Sequence, residues 1–139
     1  MKLSQIAYVT DKPAKVEIKN HLDQSFNPPA FITVLSSESK QGMEAKLNLM
    51  RSFATIREDK DNLNEDETIK EEIGYQISCD ALASITLDWE GIEDEEGNSI
   101  PFSNERAVEI YKTYPYIFNT VNLFSGNLGN FLAHSVISS

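Results

Sequence analysis

Two runs of acidic residues are the feature of this 139-residue chain that most suggests chemistry, because closely spaced carboxylates can hold calcium. They lie at residues 58–67 and 88–96. A calcium loop of the EF-hand type starting at Asp59 needs glycine at its sixth position and glutamate at its twelfth, but the chain has Asn64 and Lys70 there. The second run lacks the spacing as well. We therefore interpret both runs as solvated turns and predict no metal site and no cofactor.

The other reactive residues give little support for catalysis. His21 and His134 lie outside any nucleophile motif, and the six dispersed glycines form neither a phosphate-binding loop nor a GxGxxG fingerprint. Cys79, the single cysteine, has apolar neighbours at helical spacing, which favours a buried structural thiol. No pair among the 22 acids is marked out for hydrolysis, so an unrecognised hydrolase stays open as an alternative. We expect a protein that is not an enzyme.

The formal net charge of −10, from 12 basic and 22 acidic side chains, opposes binding to nucleic acids and anionic membranes. No stretch approaches the roughly 18 consecutive apolar residues of a membrane span, and the N-terminus lacks the apolar core of a secretory signal. A single cysteine excludes an internal disulfide, which fits a reducing compartment. These features predict a soluble cytoplasmic protein whose partners are proteins.

Hydropathy patterns predict the elements that position any binding site. Residues 15–20 alternate apolar and polar side chains and residues 30–36 are rich in β-branched ones, which predicts two paired strands. Patterns of 3.6-residue period predict helices at residues 38–57, 65–84, 104–112 and 115–132. We therefore expect an α+β fold: a mainly helical single domain over residues 1–139 with a small N-terminal β element.

The first predicted helix has two apolar seams. Ser36 or Ser37 is expected to cap its start, because a serine oxygen accepts hydrogen bonds from the first free N–H groups of a helix. One seam comprises Met43, Leu47, Met50 and Ala54, and the other comprises Ala45, Leu49, Phe53 and Ile56. One of them must face the core, whereas the second can meet either another element of the domain or a neighbouring subunit.

Residues 85–102 contain an acidic turn at about 88–98 and are expected to form an irregular, hairpin-like excursion. A Glu-Gly-Asn sequence marks the turn, and Ile100 and Phe102 flank a proline. Ser103 is expected to cap the following short helix, and Pro115 to begin the last helix.

The last predicted helix is unusual because residues 113–139 contain no charged side chain. One stripe of this helix is apolar, and the other side carries small and amide side chains that suit close packing against a protein. Trp89, the single tryptophan, is a second candidate anchor, since aromatic residues often carry binding energy at interfaces. The alternatives are that Trp89 covers the end of the core and that both helix faces pack within one domain. The candidate partner-binding residues are Trp89, Asn119, Asn122, Phe124, Gly126 and Asn130.

Two segments of the second half resemble tail assembly chaperones of long-tailed, siphovirus-type bacteriophages and prophages. They are residues 85–92 (ITLDWEGI) and 97–103 (GNSIPFS), followed by a short helix and the Tyr114-Pro115 pair. In that family the pattern Trp-Glu-Gly-Val/Ile-x-Asp-Glu-Asp-Gly-x-x-Pro-Phe-Ser precedes a helix, a proline-marked break and a last helix. Residues 31–39 (FITVLSSES) also resemble the strand-to-helix segment of such proteins. The resemblance covers about the last two thirds of the chain.

The resemblance implies a role and no reaction. Such chaperones bind the long, largely helical tape measure protein, recruit tail tube subunits and are absent from the finished virion. In many members a translational frameshift appends a second domain, and this chain would correspond to the short product. We accordingly expect the tape measure and tail tube proteins as partners, possible homo-oligomers, and a location in the host cell cytoplasm.

Two other classes of protein fit a small acidic chain. A structural phage protein, such as a tail completion or head–tail connector subunit, would be present in purified virions. An inhibitor that mimics DNA would need carboxylates spaced like phosphates. The clustered acids and the uncharged final 27 residues argue against that array.

Overall fold

Among the residues that the computed structural model describes, 1–2, 7–9, 11–58 and 67–134, the fold comprises four helices and two small antiparallel sheets. In chain order the elements are β1 (Ala7–Val9), β2 (Ala14–Lys19), β3 (Ser25–Val34), α1 (Lys40–Glu58), α2 (Glu67–Ser84), β4 (Thr86–Glu90), α3 (Asn104–Thr113), α4 (Pro115–Gly126), a 3-10 turn (Leu128–Asn130) and β5 (Leu132–His134). This confirms the expected mainly helical α+β fold. The predicted acidic loop at 58–67 lies almost wholly outside the described residues.

The larger sheet has the strand order β2-β3-β4, and both pairs are antiparallel. Val16 lies opposite Ile32, which lies opposite Trp89, and all three side chains are buried. Because side chains alternate between the two faces of a strand, this register gives the sheet one apolar face. The predicted pairing of the strands at residues 15–20 and 30–36, which correspond to β2 and β3, is confirmed.

The third strand, β4, corrects the expectation that residues 85–102 are irregular throughout. Thr86 and Trp89 are buried and lie three residues apart, whereas a regular strand buries every second residue. A register shift between Thr33 and Val34 accounts for the spacing, since Thr33 pairs with Asp88 and Val34 pairs with Thr86. The bulge at Leu87 removes the alternation by which the strand could have been recognised. Beyond β4 the expected hairpin-like excursion is present, closed by a bridge between Glu93 and Ser99.

Helices α2, α3 and α4 cover the sheet and one another. α2 packs on both α1 and α3, and α3 packs on α4. At the centre Tyr111 is fully buried, and its hydroxyl lies 2.8 Å from Oγ1 of Thr86. Since Thr86 donates its single hydroxyl hydrogen to the Leu82 carbonyl at 2.9 Å, Tyr111 must be the donor to Thr86. No helix in the described part of the chain has both the length and the apolar character to cross a membrane.

The cap of α1 is Ser39, and the predicted caps Ser36 and Ser37 are wrong. The Ser39 hydroxyl oxygen accepts from the Gly42 amide at 3.0 Å, in the third helical position. Ser36 is buried, and its hydroxyl oxygen accepts from the Glu38 amide in the turn before the helix. Because Ser36 belongs to this preceding turn, α1 begins only at Lys40, directly after Ser39.

The last helix is shorter than predicted, because α4 ends at Gly126 and does not continue to residue 132. The Asn127 side chain accepts from the Gly129 amide at 3.1 Å and starts the 3-10 turn. The following strand, β5, then pairs with β1 near the opposite end of the chain. The predicted starts of the last two helices are confirmed, since Ser103 accepts from the Arg106 amide to cap α3 and Pro115 begins α4. Strand β3, in contrast, begins at Ser25, before the predicted start at residue 30.

Candidate partner-binding surfaces

One of the two seams of α1 is covered and the other is not. Ala45, Leu49, Phe53 and Ile56 are half-buried, on the side where α1 packs on α2. Phe53 lies so close to α2 that a Cβ at Gly74 would be 3.4 Å from its ring. Met43, Leu47 and Met50 are 45%, 50% and 65% exposed, and Ala54 is exposed too. We call this uncovered seam, Met43, Leu47, Met50 and Ala54, the α1 stripe.

A groove of about 960 Å³ lies between the β2–β3 turn, the excursion after β4 and the α3–α4 junction. Its lining includes three aromatic side chains that are 39–54% exposed, Phe26, Tyr114 and Tyr116. At one end of the groove the Tyr116 hydroxyl donates to the Lys19 carbonyl at 2.9 Å, and the Tyr116 ring centroid lies 4.5 Å from that of His21. Apolar surface in a concavity of this size is typical of a binding site.

The opposite wall of the groove is acidic. Glu93, Asp94 and Glu95 line it and are exposed. The Asp94 carboxylate accepts from the amides of Glu96 and Asn98, both at 2.9 Å, and so holds the turn in shape. Lys19 is the one lysine or arginine among the described lining residues. The electrostatic field of the groove therefore favours a partner that carries positive charge beside apolar groups.

The segment that resembles tail assembly chaperones builds this wall and the core behind it. Gly91 has a φ of +75°, and a Cβ there would lie 2.2 Å from the Pro29 carbonyl oxygen. Ile100 donates its amide to the Ile92 carbonyl at 2.8 Å, which closes the excursion. Phe102 packs edge-on against Trp89, with ring centroids 5.0 Å apart. Gly91, Ile100 and Phe102 of the pattern therefore have roles in the fold that do not depend on a partner.

Trp89 is a core residue in the structure. It is 7% exposed, and its ring N–H donates to the Ile100 carbonyl at 2.7 Å. This matches the alternative in which the indole covers the core. A role for Trp89 in partner binding stays a prediction, and it would require the ring to leave this site.

The other candidate residues from the sequence lie on α4 and just after it. Asn119, Asn122 and Gly126 are exposed on the helix, and Leu123 beside them is 74% exposed. Phe124 is half-buried, and its carbonyl accepts from the Asn130 side-chain amide at 3.0 Å. The structure thus brings the α4 residues together as an uncharged surface and leaves Trp89 on β4. Binding of a partner here stays a prediction.

A sequence model of the family described as YdaY prophage protein matches residues 42–135. The chain belongs to the YdaY prophage protein family. No curated protein and no solved structure matches it.

The YdaY match begins within α1 and ends just after β5. It includes the α1 stripe, the acidic wall of the groove and the uncharged surface of α4. It leaves out β2 and β3, which supply Phe26 and Lys19 to the groove. Prophage origin is therefore established by the family, whereas the groove depends partly on residues outside the matched segment.

Cys79 and Tyr111 of this YdaY protein lie in the core, and the half-buried Tyr75 packs against it. Cys79 is fully buried, and burial raises the pKa of its thiol, which disfavours the nucleophilic thiolate. The Tyr75 hydroxyl donates to the Tyr111 carbonyl at 2.5 Å. Burial raises the pKa of Tyr75 and of Tyr111 to about 12.

Alkaline pH is expected to destabilise the protein through Tyr111. A folded-state pKa of about 12 lies above the ordinary value of 10, so the contribution is complete below pH 10 and is lost as the pH rises towards 12. We expect a loss of about 2 kcal/mol from this residue over that window. Urea unfolding at pH 9 and pH 11.5 measures it. Tyr111→Phe is expected to be less stable at pH 9 but to lose less between the two values, and equal slopes would contradict the assignment.

In the described residues no three His, Cys, Asp or Glu side chains come together in a way that could hold a metal ion. The exposed carboxylates of the excursion instead shape a turn and line a groove.

Proposed function

We propose that this prophage protein is a tail assembly chaperone. In this proposal it binds the tape measure protein in the host cytoplasm, recruits tail tube subunits, performs no catalysis and is absent from the mature virion. Membership of a prophage family supports a phage role, and the resemblance of residues 85–103 to tail assembly chaperones supports the finer assignment. The groove between the β2–β3 turn, the excursion and α4 is the structural observation that carries it.

The groove suits one class of client segment. Phe26 and Tyr114 expose apolar surface, and burying such rings against a partner provides binding free energy. Glu93 and Glu95 stand on the facing wall and attract lysine or arginine. We therefore expect the client segment of the tape measure protein to present apolar residues next to basic ones. Its binding should weaken as salt screens the carboxylates.

A structural tail completion or head–tail connector protein is the second candidate, because its size and charge would be similar. Purified virions distinguish the two. A chaperone is expected to be undetectable by mass spectrometry of gradient-purified particles, and stoichiometric recovery there would favour the structural protein.

Removing the groove aromatics is expected to weaken binding to the tape measure protein of the same prophage. For Phe26→Ala combined with Tyr114→Ala we expect the dissociation constant to rise at least about 30-fold, as for interface hot spots. Calorimetry with the purified partner measures it. Leu87→Ala is the control, since it removes a 42% exposed apolar side chain that lies outside both the groove and the α4 surface. Absence of any binding by the wild-type protein would refute the proposal.

The uncharged surface of α4 enters the same experiment as a separate arm. Asn122→Glu adds a charge to the surface that the sequence singled out, and a buried unpaired charge weakens a contact. Weaker binding in this variant, with normal binding in the groove variant, would move the client site to α4. Circular dichroism of each variant excludes unfolding as the cause.

A further inference from the structure

The α1 stripe has the spacing of a helix–helix contact. Its four residues follow one another at steps of four, three and four, which is the pattern of core positions in a two-stranded coiled coil. All four are exposed, although apolar rows of this kind are usually covered. The structure therefore offers a complete helix-packing face on the outside of the described part of the chain.

We propose that the α1 stripe binds the α1 stripe of a second copy of this chain, with the two helices antiparallel. A twofold axis at the level of Asn48 and Leu49 puts Leu47 beside Met50 of the second copy and Met43 beside its Ala54. Each apolar residue of the stripe then has an apolar partner, so the row is buried along its whole length.

The charges beside the stripe specify the antiparallel orientation. Glu44 and Arg51 follow stripe residues directly and are seven residues apart, so they lie on the same edge of the row. In an antiparallel pair like edges meet, and Glu44 of each copy approaches Arg51 of the other. In a parallel pair opposite edges meet, which would bring Lys46 against Arg51. The pattern is thus self-complementary in the antiparallel orientation and has no complementary pair at these positions in the parallel one.

The wider charge distribution favours the same face. The chain has a net charge of −10, so two copies repel each other on average. Residues 40–58 are an exception, since they contain four basic and two acidic residues. Lys46 is also paired with Glu38 of its own chain at 2.5 Å, which leaves Arg51 to the second copy. The acidic excess that opposes self-association is therefore absent from α1, as it is from the α4 surface.

A contact between like surfaces closes after two copies, so the expected product is a dimer. Four side chains from each copy make a small interface, and we expect a dissociation constant on the order of 10 µM. The four stripe residues neither line the groove nor belong to the uncharged surface of α4. The dimer does not depend on the proposed tail function, and its test uses the protein alone.

Sedimentation equilibrium over a concentration series of the full-length protein tests the proposal. The wild type is expected to dimerise, and Leu47→Glu is expected to raise the dissociation constant at least about 100-fold because it buries charge at the centre of the row. Gln41→Glu adds the same charge at an exposed position off the stripe and away from Arg51, and it should dimerise normally. Circular dichroism confirms that the variants fold.

A charge exchange tests the orientation. Glu44→Arg alone and Arg51→Glu alone should each weaken the dimer about tenfold, since each puts like charges at two symmetric contacts. The double exchange should restore the wild-type constant, because it rebuilds both pairs in reverse. A wild type that stays monomeric at millimolar concentration, or a double exchange that does not restore dimerisation, would overturn the proposal. A monomer whose Leu47→Glu variant loses tape measure binding would assign the stripe to that client instead.

Discussion

Replacing Trp89 by alanine is expected to lower the free energy of unfolding by about 4 kcal/mol, the usual cost of truncating a large buried aromatic side chain. The indole is 7% exposed, packs edge-on against Phe102 and bonds to the Ile100 carbonyl. Its removal leaves a cavity between β4 and the excursion and one unpaired carbonyl. Urea denaturation followed by far-ultraviolet circular dichroism measures the change.

Trp89→Phe separates the contribution of ring packing from that of the hydrogen bond. It keeps an aromatic ring beside Phe102 and removes the N–H donor to Ile100, so a loss of about 1–2 kcal/mol is expected. Since Trp89 is the single tryptophan, its blue-shifted emission should report burial in the wild type. A Trp89→Ala variant with nearly unchanged stability and impaired partner binding would instead support the partner-anchor interpretation.

Replacing Gly91 by alanine is expected to cost about 3 kcal/mol, because two penalties combine there. The backbone φ of +75° is unfavourable for a residue with a Cβ, and that Cβ would lie 2.2 Å from the Pro29 carbonyl oxygen. Relief of the clash requires β3 or the excursion to move, and both line the groove. Thermal and urea unfolding give the loss.

Gly97→Ala separates the two penalties. Gly97 has a similar φ of +83°, but a Cβ there meets nothing within 4 Å. We expect it to cost only about 1 kcal/mol, the price of the left-handed backbone alone. Equal losses at the two glycines would mean that the close approach of Pro29 to Gly91 contributes nothing.

Elements that are marked by residues close together in the sequence could be predicted. Ser103 supplies a side-chain acceptor at the start of α3, and Pro115 brings a backbone angle suited to the first position of α4. The alternation in β2 is equally local, since it records which side chains face the core. Such signals depend only on residues that are close together in the sequence.

The errors at β4, at α4 and at the cap of α1 involve contacts that are distant in the sequence or that compete locally. β4 is a strand because it pairs with β3 through a bulge, and the bulge disguises its alternation. α4 stops at Gly126 because Asn127 turns the chain and β5 then pairs with β1, although Leu128 and Phe131 continue the helical spacing. Ser39 caps α1 because Ser36 is committed to the preceding turn.

Some properties of the candidate surfaces were likewise predictable from the sequence, whereas others depend on tertiary contacts. Composition and periodicity alone establish the acidic character, the uncharged C-terminal segment and the two apolar seams of α1. Which seam is covered was decided by α2, where Gly74 lets Phe53 approach closely. The groove has no counterpart in any local pattern, because its walls come from Phe26, Glu93 and Tyr114 on three separate segments. Periodicity reports that a face is apolar, but whether that face is buried, and what it stands opposite, depends on contacts between segments far apart in the chain.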